Sequence, residues 1–128
     1  MVDPAELLGE FNDAVERGDL EAFAERIHPN VIWRHNIGVG TPEEGEYEGR
    51  ENVVALYARI LETWEYMRPV PREVRELGDG VLMVQGELYA KHRDAATEIV
   101  TPYAQRLRVR DGLLVAGEMV TASGARLD

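Results

Sequence analysis

The sequence predicts one α+β domain in which helices come first and a meander of long antiparallel strands follows. Apolar residues recur at helical spacing as far as Trp64, and beyond it the period falls to about two. Asp111-Gly112, between two alternating segments, is a strong hairpin turn pair. Helices followed by a run of strands is the α+β order. The 128 residues suit one core, so residues 1–128 are read as a single domain.

Asp3 suits an N-cap, Pro4 the first helical position, and Glu6 an acidic capping box. Leu7, Leu8, Phe11, Ala14 and Val15 make the apolar face of this first helix, and Gly18 stops it. Asp19 caps a short second helix with Leu20, Phe23, Ala24 and Ile27 inward, ended by His28-Pro29. Val31, Ile32 and Trp33 read as a strand that runs into Arg34-His35-Asn36. The stretch Gly38 to Gly49 holds four glycines, Pro42 and four glutamates and reads as a solvated loop. A third helix from about Arg50 to Glu65 carries Val53, Val54, Tyr57, Ile60, Leu61 and Trp64 on one stripe. Tyr66 to Leu77 is a strand whose Pro69 and Pro71 suit an edge or a bulge. Leu82, Val84, Gly86, Leu88 and Ala90 then share one face of the next strand. Tyr103, Gln105, Leu107 and Val109 do so on the following one, with Arg106, Arg108 and Arg110 outward, and Leu113 to Ala122 returns.

Composition narrows the partners. Lys and Arg total 14 against 24 for Asp and Glu, a formal charge of -10 that repels phosphate backbones and anionic membrane surfaces. No nucleic acid and no membrane partner is therefore expected. With no cysteine there is no disulfide, thiolate ligand or thiol nucleophile. The start Met1 to Glu6 does not read as a signal peptide, and no apolar run approaches the roughly 20 residues of a span, so a soluble cytoplasmic protein is expected. His28, His35 and His92 lack metal-ligand spacing, and no phosphate loop, nucleophile elbow or dinucleotide fingerprint occurs. The expectation is no metal and no cofactor.

Four stretches, in order, resemble the nuclear transport factor 2-like superfamily, in its SnoaL-like and steroid delta-isomerase-like branch. They are Gly18-Asp19-Leu20-Glu21-Ala22, His28-Pro29-Asn30-Val31-Ile32-Trp33, Tyr47-Glu48-Gly49-Arg50-Glu51-Asn52-Val53 and Arg108-Val109-Arg110-Asp111-Gly112-Leu113-Leu114. The resemblance implies three helices over a strongly curved antiparallel sheet, a cone enclosing a pocket. Members include isomerases, cyclases, dehydratases, epoxide hydrolases and binding proteins, so the fold alone does not fix the function.

By this resemblance His35 falls where steroid isomerases place their proton-shuttling aspartate. A neutral imidazole is a competent base near pH 7; the plainer alternative is a partly exposed histidine at a strand end. Gln105 stands in an apolar register, where those isomerases hold a protonated acid, and could donate to a developing oxygen charge; otherwise it is a satisfied core amide. Phe11 and Thr121 depart from the family, since isomerases carry a tyrosine at the first position and cyclases an acid near the second. Tyr57 and Tyr103 are candidate replacement donors, or packed core tyrosines. Trp33, Trp64, Val84 and Met119 line a pocket or complete the core. Gly86 leaves room for a ligand or lets the sheet bend.

The leading expectation is a cofactor-independent enzyme doing proton-transfer chemistry, an isomerase, cyclase or dehydratase, on a small apolar molecule. His35 would be its base and Gln105, Tyr57 or Tyr103 its donors. The rival is a non-catalytic small-molecule binder of the same fold. A homodimer through the outward sheet face is expected from the mixed Arg and Glu register there.

Overall fold

The computed structural model describes residues 3–36 and 43–121. The stretch 38–42 of the expected loop, and Ala122, lie outside the described residues. Helix α1, Pro4–Arg17, begins where the Asp3 carboxylate accepts the Glu6 N–H at 2.9 Å. It ends at Gly18, whose φ of 70° suits glycine, with the Asp19 N–H reaching back to the Ala14 carbonyl at 2.9 Å. Asp19 then caps α2, Leu20–Glu25, accepting the Ala22 N–H at 3.0 Å.

Helix α2 stops short of the expected His28-Pro29 boundary, and Ile27 already belongs to strand β1, Ile27–Asn36. The reason is tertiary: the Arg26 carbonyl accepts the Leu114 N–H at 2.9 Å, and Ile27 pairs with Leu114. Part of the expected solvated loop is strand β2, Gly45–Glu48, zipped antiparallel to β1 with Trp33 opposite Tyr47. Helix α3, Arg50–Thr63, buries Val53, Leu56 and Ile60. Trp64 has left the helix, with an extended backbone at φ −105°, ψ 137°. The Arg93 guanidinium caps that end, bonding the Leu61 and Glu62 carbonyls at 2.7 and 2.8 Å.

Four long strands follow: β3 Trp64–Gly78, β4 Val81–His92, β5 Ile99–Arg110 and β6 Leu113–Thr121. The six-stranded sheet has the order β2-β1-β6-β5-β4-β3 and is antiparallel except for the parallel pair β1 and β6. Both Asp-Gly hairpin turns, Asp79-Gly80 and Asp111-Gly112, take positive φ at both residues, 53° and 76° in one, 54° and 77° in the other. These are the values the twist of an antiparallel pair demands. The prolines lie on β3, an edge strand as expected, with a register shift between Pro71 and Glu73. Gly86, opposite Pro71, serves that irregularity, because a Cβ there would sit 2.1 Å from the Val70 carbonyl oxygen. The helices pack on the sheet's concave face over a core that includes Leu7, Phe23, Leu56, Ile60 and Leu82. Among the described residues no helix is long and apolar enough to cross a membrane.

Candidate functional site

Register assembles the site. On the concave face His35 of β1 stands beside Met119 of β6, Met119 beside Gln105 of β5, and Gln105 beside Val84 of β4. With strands spaced about 4.8 Å apart, the Cα atoms of His35 and Gln105 are about 10 Å apart. Two residues along, the next rung holds Trp33, Gly117, Leu107 and Leu82. Helices α1 and α3 roof these rungs with Leu8, Phe11, Asn12, Val53 and Tyr57, leaving a cavity of about 50 Å³.

His35 is 1% exposed and sits in the cavity wall. Its Nδ1 accepts the Trp33 indole N–H at 3.1 Å, while its Nε2 is buried without a partner. Burial pushes its pKa down to about 4, so the ring is neutral at pH 7. A neutral imidazole carries one proton, and with Nδ1 accepting, that proton belongs on Nε2. The unpartnered nitrogen is therefore an N–H rather than a lone pair, opposite to the base anticipated from the sequence. Burial also rules out the partly exposed alternative.

Gln105 lines the cavity with a buried Oε1 that has no partner, so it is not a fully satisfied core amide. Tyr57 lines it as well, with ring centroids 6.1 Å from His35 and 4.6 Å from Phe23, and burial holds its phenol above the ordinary value. Phe11, Trp33 and Met119 complete the part of the wall that the sequence indicated. The remaining candidates lie elsewhere. Val84 is fully buried packing, and Gly86 is closed over by β3. Trp64 packs edge-on against His92 at 5.3 Å. Tyr103, opposite Thr121 on β6, buries an unpartnered hydroxyl outside the cavity lining. Its pKa is pushed up to about 12 by burial and then by Glu87. Thr121 is buried on that same rung, away from the cavity.

The sequence reading missed Asn12, Met67, Pro69 and Leu88 as wall residues. Asn12 left a signal: it falls between Leu8 and Val15 at helical spacing, a polar residue inside the apolar stripe. Among the described residues the cavity wall holds no Asp, Glu, Lys or Arg, and no three His, Asp or Glu side chains gather as metal ligands. The site is thus an apolar chamber with one oriented donor at β1, amide groups at β5 and α1 and a phenol on α3.

Known proteins share this arrangement of elements. TerC, crystallised with polyporic acid, superposes with a TM-score of 0.82 at 24% identity, over 95% of this chain and 93% of its own. A protein of ketosteroid isomerase-like fold from Catenulispora acidiphila, in complex with trimethylamine, does so at 0.78 and 16% identity, over 92% and 85%. IdmH, a proposed polyketide cyclase from Streptomyces antibioticus, does so at 0.78 and 18% identity, over 94% and 92%. No protein of curated function matches the chain. The SnoaL-like domain family matches residues 8–117, from the cavity wall of α1 to the glycine beneath Trp33. The chain belongs to the SnoaL-like family, within the nuclear transport factor 2-like superfamily.

Proposed function

We propose that this domain binds a small, largely apolar molecule by one of its oxygen atoms, with neutral His35 donating from Nε2 and Gln105 as second polar contact. The observation that carries the reading is the unpartnered, buried Nε2 in a cavity wall without charged side chains. A buried donor without a partner costs about 1–3 kcal/mol, which a ligand oxygen would recover. Between the two functions anticipated from the sequence, this favours the binder, because a ring that holds its proton on Nε2 and titrates near 4 is a poor base at pH 7. A cavity of about 50 Å³ holds less than one aromatic ring, which needs about 150 Å³. A ring compound would enter by displacing Met67, Met119 and Phe11, and methionines are the side chains best suited to repack.

A second reading, proton-transfer catalysis, has the proposed polyketide cyclase IdmH among the structural neighbours in its favour. In that reading His35 stabilises a developing oxygen charge as a neutral donor, and the proton leaves to water or to the substrate itself. We also propose a homodimer through the convex face, where Arg34, Glu118 and Arg106 share a rung and Ile32 and Val120 are 45% and 43% exposed.

Thermal melts against a panel of cyclic ketones and hydroxyaryl ketones test the binder. A ligand at 100 times its Kd should add about 2.7 kcal/mol of stability to the wild type, and His35→Phe should remove the gain while still folding. An equal gain in His35→Phe would discard the donor role. Turnover of a panel compound would select the second reading, with a rate flat between pH 6 and 7; a rate rising through that range would restore His35 as base.

A further inference from the structure

We infer that Trp33 is a positioning residue that locks His35 in its Nε2–H tautomer, and that the cavity consequently selects ligands presenting an oxygen acceptor over those presenting a proton donor or a cation. The inference rests on the reading of His35 as the donor of the ligand site. Trp33 and His35 lie two residues apart on β1, so their side chains stand side by side on the concave face. The indole nitrogen is a donor only, and Trp33 is 3% exposed. Its N–H meets His35 Nδ1 at 3.1 Å. An Nδ1–H imidazole would face it donor to donor and leave both buried groups unpaired.

The indole's place is itself reserved. Gly117 pairs with Trp33 on β6, and a Cβ there would fall 2.5 Å from Trp33 Cζ3 and 2.7 Å from Cε3. Gly117 is not among the glycines with positive φ, so space rather than backbone conformation calls for glycine at this position. The ring lies against the bare backbone of β6, its six-membered edge over Gly117 and its N–H directed to the next rung. The other polar groups in the wall, the Gln105 and Asn12 amides and the Tyr57 hydroxyl, present a donor or an acceptor by turning, so none of them dictates the polarity of a ligand. His35 cannot turn over without breaking the bond to Trp33. The polarity of the chamber is therefore set at β1, and no carboxylate among the described wall residues offsets it for a cation.

The test is ¹⁵N spectroscopy of the histidine rings in the labelled, ligand-free protein, followed by titration with cyclopentanone and cyclopentylamine as probes. The wild type should show a pyridine-type Nδ1 and a pyrrole-type Nε2 for His35, with nitrogen–nitrogen coupling across the bond from the Trp33 indole. It should bind the ketone at least tenfold more tightly than the amine. Trp33→Phe should mix the tautomers and cut the preference to about threefold or less. A pyrrole-type Nδ1 or an averaged pair in the wild type overturns the inference, and that result needs no variant to fold. Full retention of the Nε2–H tautomer and of the ketone preference in Trp33→Phe also overturns it. A fixed Nε2–H tautomer with no response to either probe supports the role of Trp33 and overturns the cavity as a ligand site.

Discussion

His35 ties the site to stability as well as to binding. Its folded pKa of about 4 lies below the ordinary 6.5, so between those values the unfolded chain binds a proton that the folded one refuses. The stabilisation is complete above pH 6.5 and is lost as pH falls toward 4, by about 3 kcal/mol at the acid end. Urea titrations of wild type and His35→Gln at pH 4.5 and 7 should show the wild type losing stability more steeply; parallel losses would mean that the ring is protonated in the fold. Gly117→Ala makes a second residue-scale prediction. Its methyl collides with the Trp33 indole, so it should cost about 1–3 kcal/mol and broaden the His35 ring resonances. A neutral substitution would show that the indole has somewhere else to go.

Among the elements, β3 and β4 depend on a glycine whose neighbour is backbone and cannot turn aside. Gly86→Ala should cost at least about 3 kcal/mol, seen as a lower urea midpoint, whereas Asp3→Ala should cost only about 1 kcal/mol through its lost cap. Equal effects would contradict the close crossing at Val70. Helix α1, helix α3 and the alternating strands β4 and β5 were legible in the sequence because caps and periodicity are local. The end of α2, the start of β1 and all of β2 were not, since Leu114 and the β1 register decide them from far along the chain. The same limit divides the site. Alternation put Gln105 on the inward face of its strand, and helical spacing put Phe11 and Tyr57 on the inward faces of their helices, whereas His35 was placed at the pocket by the family resemblance. Gly86, Tyr103 and Thr121 share the face but not the chamber, because alternation assigns a side of the sheet and not a depth along it; Val84 stands on the chamber's own rung but is buried in packing. The Trp33 bond to Nδ1, on which the proposed donor role of His35 rests, left no mark in sequence spacing.

At the scale of the molecule, the convex face carries the association proposed above. Light scattering at micromolar concentration and moderate salt should return twice the 14.4 kDa chain mass, and Ile32→Glu with Val120→Glu should halve it. A wild type of single-chain mass would leave that face to solvent. The parallel seam between β1 and β6 has a consequence for the order in which the chain is made. His35 and Gln105 are both synthesised before Met119, yet β6 is the strand that lies between theirs. Until it docks, β1 with β2 forms one ladder and the β3-β4-β5 meander another, and no strand pairing joins them. A nascent chain stopped at the Asp111-Gly112 turn therefore has both polar groups and no chamber to put them in. Its two half-sheets keep open edges that only β6 can close, and a translating ribosome holds them in that state until the last rung is spoken for.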